Sequence, residues 1–187
     1  MKFTIQNYFN THQTIFGKLS IENIQNFINL INVSFKSKKN IFVCGNGGSA
    51  YNASHFITDW NKMVYLRTGK RFKGISLCDN IGLITAYSND VSYEQIFEGQ
   101  LNSLFNKGDL VIGISVSGNS KNVIKALNFC NKNGGISASI TGYDGGKIKR
   151  ISQYNVNVPS YDMQICEDIH LMIGHMVMKN LCGSNIE

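Results

Sequence analysis

No CxxC pair and no even set of cysteines occurs in this chain: Cys44, Cys78, Cys130, Cys166 and Cys182 stand apart. That argues against a disulfide framework and against a structural zinc cluster, and it reads as buried thiols in a reducing compartment. Proline occurs once, at Pro159, and repeats, low-complexity tracts and linkers are missing. With 187 residues, 43% of them hydrophobic, the chain suits one well-cored domain over residues 1–187. No apolar run is long enough to span a bilayer, and the opening Met1 to Asn10 lacks the continuous apolar stretch of a signal peptide. A cytoplasmic protein without a membrane partner is expected. Acidic residues are in deficit, 12 against 18 basic, for a net charge of +6. The basic residues are scattered, with Lys36, Lys38 and Lys39, then Arg67, Lys70, Arg71 and Lys73, as the densest groups. This suits an anionic metabolite rather than nucleic acid.

Apolar residues at helical spacing, such as Ile24, Phe27, Ile28, Ile31 and Phe35, predict two opening helices within about residues 1–37. Buried strands then alternate with helices. Strands are expected over Ile41–Cys44, Gly74–Leu77, Leu110–Ser115, Ile136–Thr141 and Tyr154–Val158. Helices are expected over 49–64 with Ser49 as cap, within the helical region 80–105, over 119–133, over 145–152 and over 162–181. The alternation predicts an α/β fold, a doubly wound five-stranded parallel sheet flanked by helices, with ligands beyond the carboxyl ends of the strands.

Two segments lie at that edge: Phe42-Val-Cys-Gly-Asn-Gly-Gly-Ser49 and Ile114-Ser-Val-Ser-Gly-Asn-Ser120. Small and hydroxylated residues after a strand let the backbone approach an anion, and the helix that follows offers free N–H groups and its positive dipole end. The first loop has no lysine at its end, which disfavours nucleoside triphosphates, and lacks the third glycine of a dinucleotide fingerprint. The second supplies three hydroxyls within six residues, an array that fits a phosphate monoester. The competing reading has the serines as helix caps and the glycines as tight turns. Two such loops in register with one sheet favour a phosphorylated small molecule held between them.

Gly45-Asn-Gly-Gly-Ser-Ala50 with His55-Phe56 after it, Ser88-Asn-Asp90, Gly108 to Ser120, Thr141-Gly-Tyr-Asp-Gly-Gly-Lys147 and the helix from Glu167 to His175 resemble the sugar isomerase (SIS) domain. Within it they resemble the phosphoheptose isomerases, over nearly the whole chain. The resemblance implies conversion of sedoheptulose 7-phosphate to D-glycero-D-manno-heptose 7-phosphate, for the heptose of surface polysaccharides, in a zinc-containing homotetramer whose opening helices pack between subunits. It places the phosphate on Ser115, Val116, Ser117 and Ser120, and the sugar near Asn46, Gly47, Gly48, Ser49, Asn89 and Asp90. It also implies zinc ligands at His55, Asp59, Glu167 and His175. Typical members carry glutamate in place of Asp59 and glutamine in place of Glu167, so two imidazoles and two carboxylates remain, a set that suits zinc.

An aldose–ketose isomerase moves a proton between adjacent carbons through an enediol, which needs a base, an acid and stabilisation of an oxyanion. His55 and Asp59, spaced i, i+4, share a helix face, as metal ligands or an acid/base pair must. The closing helix adds Glu167, His170 and His175. Asp59 or Glu167 is the candidate base and His175 the candidate acid, and both carboxylates also face the substrate in this reading. Gly174, nearly in line with Glu167, is read as room for a ligand. Eight residues of straight helix rise about 12 Å, so co-ligation by Glu167 and His175 needs converging side chains or a neighbouring subunit. Two other functions fit the same residues. One is isomerisation of another phosphorylated ketose; the other is a non-catalytic SIS module that binds a replication initiator or senses sugar phosphates.

Overall fold

A computed structural model describes residues 3–183. Two helices, α1 (Ile5–Phe16) and α2 (Ile21–Lys36), open the chain, and the Thr4 and Ser20 side chains cap them by accepting from the Asn7 and Asn23 N–H groups. Helix α2 buries Ile24, Phe27, Ile28 and Ile31, the stripe that its 3.6-residue periodicity predicts. Strands β1 (Ile41–Gly45), β2 (Gly74–Ser76), β3 (Leu110–Ser115), β4 (Ile136–Thr141) and β5 (Tyr154–Asn157) form one parallel sheet in the order β2-β1-β3-β4-β5. Every residue of β1 and β3 is buried, as central parallel strands covered on both faces require.

Pleating sends alternate residues of β1 to opposite faces. Ile41 and Val43 pack with Phe27, Ile31, Trp60 and Ile173, from α2, α3 (Gly48–Thr68) and α8 (Met163–Cys182). Phe42 and Cys44 pack with Phe97, Leu101, Val123 and Leu127, the last three from α5 (Glu98–Leu104) and α6 (Lys121–Lys132). Helices α4 (Ile81–Asp90) and α7 (Gly146–Ile151) complete the cover. The chain leaves β1 towards β2 on one side and resumes at β3 on the other. The β1/β3 boundary is therefore the point where strand order reverses, and a crevice opens there at the carboxyl edge.

Three local expectations are corrected. The helical region 80–105 is two helices separated by a 3-10 turn at Tyr93–Gln95, because Val91 leaves the helical region with φ −127° and ψ −80°. Helix α3 is capped by Gly47 rather than Ser49: the loop needs φ +53° at residue 47, and Ser49 lies buried in the first turn. Of the five thiols expected to be buried, Cys78 and Cys182 are only half-buried; all five are free, and burial pushes the Cys44 and Cys130 thiols up, Cys130 to about 12.

At the sheet's edge, the Ile41 N–H donates to Lys73 O and the Leu77 N–H donates to Val43 O, so residues 73 and 77 of the β2 segment face β1 and Gly74 faces away. The Asn61 amide takes both outward groups of Gly74, accepting from its N–H at 3.0 Å and donating to its carbonyl at 3.0 Å. On the outside of the molecule, α1 and its flanks leave Phe3, Ile5, Phe9 and Phe16 exposed, and α2 leaves Ile21 and Val33 exposed. Among the described residues no helix is long and apolar enough to cross a membrane.

Candidate active site

The first loop closes tightly onto α3. A Cβ on Gly45 would stand 2.7 Å from the Ser49 carbonyl oxygen, so only glycine lets the strand turn into the helix here. The Ser49 N–H donates to the Asn46 carbonyl, and the Asn46 side chain turns toward β3. There it meets Asn122 in a reciprocal amide pair, each Nδ2 donating to the other's Oδ1 at 2.9 and 2.8 Å, while the Tyr93 hydroxyl donates to Asn46 Oδ1 at 2.8 Å. Asn122 and Tyr93 were not singled out from the sequence. Asn122 lies two residues after Ser120, at the helix start, which was the signal available.

In the second loop, the Ser115 and Ser120 hydroxyls lie 3.1 Å apart, and Ser117 Oγ accepts the Asn119 N–H. Ser120 occupies the cap position of α6 but makes no capping hydrogen bond. The capping explanation therefore fails for Ser120, and its hydroxyl stays directed at Ser115. Gly118, at φ +64°, presses against Gly145, and its carbonyl accepts the Ile148 N–H. Glu94 pairs with Lys121 at 3.0 Å and Lys125 at 3.5 Å, and the Lys121 hydrogen bond holds the Glu94 carboxyl below its usual range. Asn46, Ser49, Ser115, Val116, Ser117, Ser120 and Glu167 line one small crevice at the switch point, with Tyr143 and Met163 beside them.

Glu167 reaches that crevice from α8. Its carboxylate lies against Gly48, where a Cβ would come within 2.5 Å of Oε1. Gly47 and Gly48 thus have different reasons to be glycine: backbone angle in one case and the approach of a carboxylate in the other. Asn89 and Asp90 are not brought to the crevice among the described residues. They end α4 on the surface, where the Asn89 amide donates to Asp90 at 2.8 Å.

His55 and Asp59 from α3 meet His175 from α8. The two imidazole Nε2 atoms are 3.0 Å apart, and Asp59 Oδ2 lies 3.4 Å from one and 3.8 Å from the other. Zinc bonds of about 2.0–2.1 Å place neighbouring tetrahedral ligands about 3.3 Å apart. The three atoms lie at about the mutual spacing of three ligands of such a tetrahedron. Glu167 is not in this group, so α8 delivers His175 to the metal-type triad and Glu167 to the loop crevice.

What binds α3 to α8 is Gly174. A Cβ there would collide with the Phe56 ring, and the Trp60 indole N–H donates to the Gly174 carbonyl at 3.0 Å. The space read as room for a ligand is therefore filled by Phe56, and the glycine sets helix spacing instead. His170, between Glu167 and His175, is fully buried and neither ring nitrogen makes a well-formed hydrogen bond. Burial lowers its pKa to about 4, and the nearby Thr141 backbone offsets little of that.

The chain is similar to known proteins along most of its length. The SIS domain pattern matches residues 7–142. The chain is 37% identical to the phosphoheptose isomerase of Helicobacter pylori, over 92% of this chain and 91% of that protein. It is 36% identical to the phosphoheptose isomerase of Aliarcobacter butzleri, over 95% of each. The solved phosphoheptose isomerase from Neisseria gonorrhoeae superposes with a TM-score of 0.87 at 27% identity, covering 95% of this chain and 96% of that one. A doubly wound sheet with both anion loops at its switch point and a His-Asp-His triad beside them thus accompanies sequence similarity along nearly the full length, and the chain belongs to the SIS-domain family, on its phosphoheptose isomerase branch.

Proposed function

We propose that this chain is an aldose–ketose isomerase that converts sedoheptulose 7-phosphate to D-glycero-D-manno-heptose 7-phosphate, in the cytoplasm and as a homotetramer, within one SIS domain. The observation that carries the reading is the convergence of His55, Asp59 and His175 on helices α3 and α8, whose amino-terminal turns border the loop crevice. The phosphate sits on the hydroxyls and N–H groups of Ser115, Val116, Ser117 and Ser120, with α6 offering its positive end. Asn46, Gly47, Gly48 and Ser49 hold the sugar.

Asp59 or Glu167 takes a proton from C1 of the ketose as the C2 carbonyl becomes an enediol oxygen. The same carboxyl group returns the proton to C2, so no proton is gained or lost overall. His175 moves the hydroxyl proton between the two oxygens. His55, Asp59 and His175, with Glu167 within the same active site, would hold zinc, which would supply Lewis-acid stabilisation of the developing negative charge. The heptose phosphate then enters surface-polysaccharide synthesis.

The test is a proton NMR time course with sedoheptulose 7-phosphate in heavy water, with added zinc and after chelation. Aldose anomeric signals, deuterium at C2 and loss of rate on chelation are the expected results. Replacing His175 with alanine is expected to abolish turnover while the circular dichroism spectrum is kept. Conversion of a different phosphoketose in place of this one, or of none, would overturn the substrate assignment, and a chelator-insensitive rate would overturn the metal.

A further inference from the structure

The largest cavity among the pockets described lies at the opposite edge of the sheet from the loops. It has a volume of about 990 Å³ and opens where α2, α3 and α8 end, beside the amino ends of β1 and β2. Five cations line it: Lys36 and Lys38 from the α2–β1 connection, and Lys70, Arg71 and Lys73 from the α3–β2 connection. Among the described residues no acidic residue lines it, and none of the five has an ion-pair partner. Three helix carboxyl ends carry about 0.5 negative charge each, roughly 1.5 in all. They balance fewer than two of the five cations, so a surplus of roughly three to four positive charges faces this one cavity.

Its remaining surface is not charged. Phe35 lines it, half-buried, with its ring 5.5 Å from that of Phe72, and Leu181 supplies further apolar surface. Asn32 and Asn180 also line it and are hydrogen-bonded to each other, each with amide atoms left to offer. A bare inorganic phosphate would leave most of this volume and all of the apolar surface unused. A surplus of several positive charges, an aromatic face and two amides match a flat heterocycle joined to a chain of phosphates, each terminal phosphate bringing up to about two negative charges.

We infer that this cavity is a second ligand site, separate from the isomerase crevice, and that it takes a nucleoside di- or triphosphate, with the phosphates on Lys36, Lys38, Lys70, Arg71 and Lys73 and the base against Phe35. The arginine pairs bidentately with a phosphate, and the lysines act as point charges around it.

Isothermal titration calorimetry on the full chain tests this, with ATP, ADP and inorganic tripolyphosphate as probes at low and near-physiological salt. One ATP per chain is expected, bound about tenfold more tightly than tripolyphosphate, the contribution of one stacked ring, and weakened by salt. The exposed pair Lys70→Glu and Arg71→Glu is expected to leave the melting temperature of the ligand-free protein in place and to weaken ATP by at least about tenfold. Ser120→Ala, in the isomerase crevice, is expected to leave ATP binding as it was. Absence of heat with all three probes, ATP affinity untouched by the charge reversals, ATP affinity lost in Ser120→Ala, or tripolyphosphate binding as tightly as ATP would each overturn the inference.

Discussion

At Gly48 a missing methyl group sets how close Glu167 comes to the first loop. The nearest atoms to a Cβ there are the end of a flexible side chain, so Gly48→Ala displaces the carboxylate rather than the fold. Alanine in a helix is favoured over glycine by about 1 kcal/mol, so the variant is expected to be as stable as the parent or more so in urea unfolding. Its turnover of sedoheptulose 7-phosphate is expected to fall by at least about tenfold; wild-type turnover would remove Glu167 from the site. His170 makes a prediction of the opposite kind, on stability rather than rate. Its pKa is depressed by burial from the ordinary imidazole value of 6.5 to about 4. A base with a lowered folded pKa contributes stability that is present above pH 6.5 and lost as pH falls toward 4, here about 3 kcal/mol. Urea midpoints measured between pH 7 and 4 should therefore drop steeply, and His170→Leu should flatten the slope.

Helices α3 and α8 owe their register to Phe56 lying over Gly174, and that register holds His55 and Asp59 against His175. Gly174→Ala overpacks the contact and is expected to cost about 1–3 kcal/mol, read by urea unfolding, and to lower affinity for zinc. The i, i+4 pair His55/Asp59 was legible in the sequence because both residues share one helix. The role of Gly174 was not, because nothing within α8 records that an aromatic ring from α3 will lie across it. The same division runs through the fold. The strands, both loops and the opening helices follow from periodicity and small-residue segments. The break at Val91 has no glycine or proline to announce it, and Ile96, Phe97 and Leu101 beyond it keep the apolar pattern going. Gly47 as helix cap was missed because Ser49 is the better capping residue by type, whereas the loop needs a positive φ two residues earlier. The Asn46–Asn122 pair has no local signature, since its members are 76 residues apart. Asn89 and Asp90 rested on resemblance alone, and they lie apart from the crevice lining.

For the molecule as a whole, one group of apolar side chains left outside lies near the amino end. Phe3, Ile5 and Phe9 are exposed to 74%, 70% and 59%, more than an isolated soluble chain spares without use. Phe9→Glu is expected to shift the proposed tetramer toward smaller species in light scattering while leaving the monomer's helix content in place. An unchanged mass would move the interface elsewhere. Strand β2 is short and lies at the margin of the sheet, where unpaired backbone groups ordinarily invite another strand to add on. Asn61 occupies that position at Gly74 with a side-chain amide that imitates a neighbouring strand for one residue and then stops. The chain thus carries its own terminator of sheet growth, a guard against end-on polymerisation that involves no other molecule.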